Sequence, residues 1–177
     1  TYFINGGRED PYPGEKRVLI PSPNVATYDL KPEMSCREVG EEVIRAIKNE
    51  EYKLIVVNFA NGDMVGHTAV KEAIIQAMTE LDAVIGEVVC EALGANVATL
   101  ITADHGNCDE INNPQTGDPN TQHSRNPVPC IIVDNSKKWE IINHKGGLSN
   151  ITPTVLTMMG IPKPIEMTSD SLIKKIN

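Results

Sequence analysis

The sequence predicts an α/β fold in which a mainly parallel sheet is flanked by helices. Strand-like and helix-like segments alternate along the 177 residues, and residues 54–59 form a continuous apolar run, which is typical of a strand buried on both faces. The pattern contains no internal repeat and no low-complexity linker. The chain length and the 40% apolar fraction fit one domain with a core of its own.

The first half of the chain is expected to hold two strands and two helices. Residues 17–20 suggest a short strand, and residues 35–38 have the spacing of a capping box, with Ser35 as the cap and Glu38 reaching back. A helix is then predicted to run to about Lys48. Residues 54–59 are the buried strand. Apolar residues at helical spacing over 70–93 predict the longest helix, and Gly94 suits its C-terminal end.

The second half is expected to hold strands at its start and a helix near its end. Residues 97–102 suggest a strand, and residues 104–127 form a long polar loop, which in a compact domain is usually functional or disordered. Residues 130–133 and 139–142 are further strand candidates. A short helix over 151–159 is expected to end before Gly160 and Pro162. Lys174 and Lys175 are expected to lie on the solvent-exposed face of a helix.

The composition argues against some classes of binding partner. The formal charge is 16 − 24 = −8, which argues against a nucleic-acid surface. The charge is compatible with a phosphate substrate, because bound cations can invert the local sign. No apolar run approaches the ~18–20 residues needed to span a bilayer, so no membrane partner is expected. The four cysteines form no C-x-x-C pair, as expected of reduced thiols in a cytoplasmic protein.

Carboxylates and imidazoles follow two of the predicted strands. Asp63 and His67 come after residues 54–59, and Asp104 and His105 come after residues 97–102. His123 lies in the long loop, which can fold over the same edge. Each segment alone could be a turn with a surface histidine. Because sites in parallel α/β sheets form at the carboxyl ends of strands, the three segments together predict one shared site.

This set of residue types suits a divalent transition metal. Carboxylate oxygen with imidazole nitrogen favours Mn²⁺ or Zn²⁺ over Ca²⁺, and the lack of thiolates argues against a structural zinc. Five such residues exceed what one ion with an open position needs. Two ions about 3.5–4 Å apart could clamp a phosphoryl group in transfer. Gly62, Gly66 and Gly106 are expected to let the backbone turn where the ligands converge.

The same segments resemble a known family. Residues 63–68 (DMVGHT), 102–107 (TADHGN) and 123–129 (HSRNPVP) resemble the phosphatase domain of cofactor-independent phosphoglycerate mutases, which belong to the alkaline phosphatase superfamily. The segment TADHGN and residues 148–154 indicate the superfamily only. Residues 21–35 and 3–7, together with the Asn-Pro-Val-Pro segment, point to the mutases themselves. The resemblance extends over the whole chain.

The resemblance implies a division of the ligands between two metals. Asp63, His67 and His123 match the ligands of one ion, and Asp104 and His105 match two ligands of the second. Mn²⁺ is the expected ion, with Zn²⁺ or Co²⁺ as alternatives, and no 2,3-bisphosphoglycerate is required. The family's nucleophilic serine and a further aspartate ligand have no counterpart here. The catalytic serine is therefore expected outside this chain.

The resemblance also implies the domain context and the reaction. Residues 1–177 match the C-terminal portion of an alkaline-phosphatase-like phosphatase/mutase domain, a partial domain without its phosphotransferase domain and N-terminal segment. The full-length protein is expected to be a cytoplasmic monomer. It would interconvert 3-phosphoglycerate and 2-phosphoglycerate in glycolysis through a phosphoserine. The family commonly has a lysine near the metals and phosphate where this chain has Asn24, which weakens the expectation of a charge-assisted phosphate contact there.

Two alternatives stay open at this point. The chain could be part of a phosphopentomutase or of another phosphatase of the superfamily, which the TADHGN segment would suit equally. It could also be a metal-binding fragment without catalytic activity, because no nucleophile is matched within it.

Overall fold

Helices dominate the regular structure in the computed structural model, which describes residues 4–176. The helices are α1 (Cys36–Lys48), α2 (Asn61–Gly66), α3 (Lys71–Gly94) and α4 (Ile151–Met159), with short 3₁₀ turns at Tyr28–Leu30 and Leu148–Asn150. The sequence predictions of α1, α3 and α4 are confirmed within a residue or two. The short helix α2 was not predicted, because its six residues contain two glycines and span fewer than two turns.

Helix α1 packs along α3 through an apolar stripe. Val43 and Ile47 of α1 meet Val88 and Ala92 of α3 in one buried cluster. The two helices approach closely at Gly40, where an added Cβ would lie 2.3 Å from Cγ1 of Val84. Burying each large aliphatic side chain contributes about 1.5–3 kcal/mol, so this stripe supplies much of the cohesion between the two helices.

A second buried cluster anchors α2, the helix that follows the apolar segment. Val65 is fully buried against Ala73, Ile74 and Ala77 of α3, together with Met34. Asn61, at the start of α2, is 2% exposed. Its side-chain amide donates to the carbonyl oxygens of Pro32 at 3.0 Å and Glu33 at 2.9 Å. Helix α2 is therefore held on one side by apolar packing and at its start by buried hydrogen bonds.

The described strands form two small antiparallel sheets. Strand β1 (Thr99–Thr102) pairs with β2 (Cys130–Val133), and β3 (Trp139–Ile141) pairs with β4 (Ile173–Lys175). The mixed α/β class of a partial domain is confirmed, but the strand pairs within residues 4–176 run antiparallel, whereas a mainly parallel sheet was predicted. For β1 and β2 the reason is local, because the long loop after β1 returns the chain alongside it. The prediction that Lys174 and Lys175 lie on a helix face is wrong, since both lie in β4.

Two predicted strands are absent as strands from the described residues. Residues 17–20 and 54–59 are irregular, and several of their apolar side chains are exposed, including Leu19 at 91%, Leu54 at 53% and Val56 at 58%. A strand is defined by hydrogen bonds to a neighbour, and no strand within residues 4–176 pairs with either segment. The prediction of a strand buried on both faces over 54–59 is therefore wrong for this part of the chain.

The predicted helix ends have mixed outcomes. Ser35 precedes α1 as expected, but the capping-box prediction is wrong, because its hydroxyl donates to the carbonyl oxygen of Pro21 at 2.7 Å. The C-terminal end of α4 is as predicted, with Gly160 in the left-handed conformation at φ 69°. Among residues 4–176 no helix combines the length and apolar character needed to cross a membrane.

Candidate metal centre

Helix α2 and its C-cap residue present the first two predicted ligands on one face. Asp63 and His67 are four residues apart, so they lie one above the other along a helix. The Nε2 atom of His67 is 3.0 Å from Oδ1 of Asp63. The buried contacts of α2 hold this pair in place relative to α3.

The two remaining predicted histidine ligands reach the same carboxylate from other segments. Nε2 of His123 lies 3.0 Å from Oδ1 of Asp63 and 3.2 Å from Nε2 of His67. His105, just beyond β1, has its Nε2 3.9 Å from the same oxygen. The rings of His105 and His123 stack with centroids 3.7 Å apart and planes 18° from parallel. The three predicted histidine ligands therefore gather around one oxygen atom of a fourth predicted ligand, Asp63.

The other two predicted site residues lie differently. The carboxylate of Asp104 is 79% exposed, and its Oδ2 is 3.6 Å from Nε2 of His105, so it stands at the margin of the cluster. Asn24 is exposed, and no hydrogen bond described for residues 4–176 joins it to the histidines. The tightest potential ligand group consists of Asp63, His105 and His123, whose ligand atoms lie within 4.8 Å of one another.

The donor set fits a metal ion. Nδ1 of His67 lies 2.7 Å from the carbonyl oxygen of Thr121, which can only accept, so Nδ1 carries the proton. In the neutral ring, Nε2 then turns a lone pair towards Asp63 and His123, which is where a cation shared by the three side chains would sit. Ligand atoms around a tetrahedral ion with bonds of about 2.0–2.2 Å are about 3.3–3.6 Å apart. The observed spacings of 3.0 and 3.2 Å are slightly below this range.

A buried amide supports Asp63 from behind. Asn107 is 6% exposed, and its Nδ2 donates to Oδ1 of Asp63 at 2.9 Å and to the backbone oxygen of Asp63 at 3.3 Å. Partial burial acts to raise the pKa of Asp63, but the hydrogen bond from Asn107 and the nearby histidines outweigh it and lower this pKa below its ordinary 3.8. Asp63 therefore stays ionised, as a metal ligand must.

Sequence reasoning missed this role of Asn107. The available signal was its position two residues after His105, in the same segment at the end of β1. An amide is not among the ligands favoured by the expected metals, so the residue type gave no reason to select it.

Glycine is required at two positions near the candidate ligands, because neighbouring side chains approach the backbone closely there. An unusual backbone turn is not the reason. A Cβ on Gly66 would lie 2.3 Å from Oδ1 of Asn107, and one on Gly106 would lie 2.2 Å from Oγ of Ser124. The glycines with positive φ within the described chain lie elsewhere, so the prediction of sharp turns at Gly62, Gly66 and Gly106 is replaced by a packing explanation.

Comparison with known proteins places the chain in a family. The sequence profile of the metalloenzyme superfamily matches residues 1–163. The chain belongs to the metalloenzyme superfamily. The chain is similar to the 2,3-bisphosphoglycerate-independent phosphoglycerate mutases of Symbiobacterium thermophilum and Rhodopseudomonas palustris. Each is 51% identical over 98% of this chain, which covers 33% and 34% of their respective lengths.

A solved phosphoglycerate mutase structure has the same fold over this chain. The crystal structure of the phosphoglycerate mutase of Leishmania mexicana at low cobalt concentration matches 99% of this chain with a TM-score of 0.91 at 30% identity. The match covers 35% of that protein. The chain thus spans about a third of the length of the relatives it matches. The resemblance and the fold class predicted from the sequence are confirmed.

Proposed function

We propose that this chain supplies the metal-binding portion of a cofactor-independent phosphoglycerate mutase, which interconverts 3-phosphoglycerate and 2-phosphoglycerate in glycolysis. The observation that carries the proposal is the convergence of His67, His105 and His123 on Asp63. It occurs in a chain about half identical to named mutases over nearly all its length. Residues 1–177 would then be the C-terminal portion of a phosphatase/mutase domain.

The proposed site holds two divalent ions. Asp63, His67 and His123 would bind one ion, and Asp104 and His105 would contribute to the second, with Mn²⁺ expected and Zn²⁺ or Co²⁺ as alternatives. The position of His105 supports two neighbouring ions, because its Nε2 lies 3.9 Å from Asp63 and 3.6 Å from Asp104. A single ion held by Asp63, His105 and His123 is the competing arrangement. A calorimetric titration with Mn²⁺ separates the two by stoichiometry.

The residues of this chain have distinct tasks in the proposed reaction. When bound, the ions would neutralise charge on the transferring phosphoryl group and lower the pKa of the attacking hydroxyl. The Thr121 carbonyl holds His67 in the tautomer that offers Nε2, and Asn107 keeps the Asp63 carboxylate oriented and ionised. The nucleophilic serine, which would carry the phosphate as a phosphoserine, is proposed to lie outside these 177 residues.

The proposal extends to the setting of the full-length protein. The substrate would be a small phosphoglycerate, with no requirement for 2,3-bisphosphoglycerate and no nucleic-acid or membrane partner. The full-length protein would be a cytoplasmic monomer. The net charge of −8 is compatible with an anionic substrate only where metal cations neutralise the site locally, which agrees with the clustered Asp63 and Asp104.

An activity assay tests the proposal. The full-length protein carrying this chain should convert 3-phosphoglycerate to 2-phosphoglycerate with Mn²⁺ and without added 2,3-bisphosphoglycerate. His123→Ala should reduce kcat/KM at least about 100-fold, because a metal ligand is lost. His144→Ala is the matched control, since His144 is exposed and lies outside the cluster, and it should retain activity. Absence of turnover in the metal-loaded full-length protein would refute the proposal.

A further inference from the structure

A short backbone bridge joins the segments that carry His105 and His123. Gly106 and Ser124, each directly after one of these histidines, form an isolated antiparallel bridge, and the amide of Ser124 donates to the carbonyl oxygen of Gly106 at 2.9 Å. This bridge lies next to the stacked imidazoles of His105 and His123. A one-residue bridge gives little pairing of its own, so other contacts must keep the two segments aligned.

The carboxylate of Asp109 makes those contacts. The hydroxyl of Ser124, a residue 9% exposed, donates to it and lies 3.0 Å from Oδ1 and 2.8 Å from Oδ2. The side-chain amide of Asn126 donates to Oδ2 at 2.6 Å. Hydrogen bonds to an ionised carboxylate are shorter and stronger than neutral ones. One side chain thus holds the His123 segment against the turn that follows His105.

The surroundings of Asp109 agree with a specific role. Partial burial acts to raise the pKa of Asp109, but the hydrogen bonds from Asn126 and Ser124 outweigh it and leave the pKa lowered. Gly106 leaves the space that this arrangement needs, since a Cβ there would lie 2.7 Å from Oδ1 of Asp109 and 2.2 Å from Oγ of Ser124. Position 106 therefore has no room for a side chain while the Ser124 hydroxyl is hydrogen-bonded to Asp109.

We propose that Asp109 is a positioning residue, which ties Ser124 and Asn126 to the His105 turn and so sets His105 and His123 side by side for metal binding. The metal-binding part of this inference rests on the proposed function. The tie itself concerns the arrangement of the two imidazoles and can be measured without metal. Groups that orient metal ligands typically change metal affinity about 10–100-fold when they are removed.

The test combines two matched pairs of variants in the full-length protein. Asp109→Ala is compared with Asp118→Ala, which removes the same charge from an exposed position in the same loop. Ser124→Ala is compared with Ser124→Thr, which keeps the hydroxyl. Circular dichroism establishes that each variant is folded. If Asp109→Ala does not fold, the two Ser124 variants decide the outcome.

Two readouts are measured, the first on metal-free protein with ¹³C-labelled histidine. The nuclear Overhauser contact between the rings of His105 and His123 should be present in the unmodified protein, Asp118→Ala and Ser124→Thr, and lost in Asp109→Ala and Ser124→Ala. In the second, the Kd for Mn²⁺ should rise about 10–100-fold in the same two variants. A ring contact in Asp109→Ala equal to that in Asp118→Ala would overturn the inference. If the ring contact depends on Asp109 but the unmodified protein binds no Mn²⁺, the tie stands and the proposed function fails.

Discussion

The polar loop over residues 104–127 and the apolar segment over residues 54–59 contrast sharply. The loop is held by its own hydrogen bonds, including Asn120 N to Ile111 O at 2.8 Å and Asn113 N to Asp118 O at 2.8 Å. The apolar segment forms no strand and exposes Leu54, Val56 and Val57. The segment expected to be most buried is therefore largely exposed within residues 4–176, whereas the loop is ordered by hydrogen bonds of its own.

This difference explains how the candidate ligands Asp63, His67, His105 and His123 come together in a chain that spans about a third of the length of its relatives. The candidate ligands lie on α2, at its C-cap and on the loop, and these parts are fixed by contacts within residues 4–176. The apolar segment leads into α2 but does not hold it, because Asn61 and Val65 are buried independently. Substitutions in the two regions should therefore have independent effects.

The largest effect is expected from Asp63→Ala. Because Oδ1 of Asp63 lies 3.0 Å from Nε2 of both His67 and His123, removing it takes away the atom on which the centre converges. The Kd for Mn²⁺ should rise at least about 100-fold, or about 2.7 kcal/mol, in a calorimetric titration. Asp118→Ala serves as the charge-matched control. An unchanged titration of Asp63→Ala would remove Asp63 from the ligand set.

The second effect concerns the packing that holds α2. Val65 is fully buried, so Val65→Ala leaves a cavity and should lower the free energy of unfolding by about 2 kcal/mol. Chemical denaturation of the metal-free protein measures this change. A loss below about 0.5 kcal/mol, the range of ordinary surface substitutions, would show that α2 is not anchored by this cluster.

Acid should lower the stability of the metal-free protein, because Asp63 loses its charge. The pKa of Asp63 in the folded protein is lowered below 3.8, so its contribution to stability is present above the unfolded pKa and is lost as the pH falls through the folded one. Thermal unfolding of the metal-free protein should therefore show a Tm that falls as the pH drops below about 4. Asp63→Asn should reduce this fall and Asp118→Asn should not. An equal fall of Tm below about pH 4 in all three proteins would contradict the assignment of this pH dependence to Asp63.

The smallest effect is expected from Val56→Ala. This side chain is 58% exposed, so the free energy of unfolding should change by less than about 0.5 kcal/mol. The comparison with Val65→Ala uses the same chemical change at a buried and an exposed position. A cost for Val56→Ala similar to that of Val65→Ala in the full-length protein would show that the apolar segment is covered there.

The sequence predicted the features that depend on local patterns. Helices α1, α3 and α4 follow from apolar spacing and from Gly160, and they form as expected. Four candidate ligands came together because residue type and position after a strand are both visible in a sequence.

The features that failed depend on neighbours in space. Residues 54–59 have the composition of a buried strand, but pairing requires an adjacent strand, which no local pattern can supply. Ser35 has the type and spacing of a cap, yet its hydroxyl bonds with Pro21, fourteen residues earlier. The support that Asn107 gives to Asp63 spans 44 residues and involves a residue type with no metal-ligand signature.

The contact between Gly66 and Asn107 has a consequence for sequence variation. The Asn107 side chain occupies the space that a Cβ at position 66 would need, and its buried Oδ1 has no hydrogen-bond partner in the described chain. A larger residue at position 66 can be accepted only when position 107 becomes smaller, and Asp63 then loses its amide donor. Among related sequences, positions 66 and 107 should therefore change together or not at all.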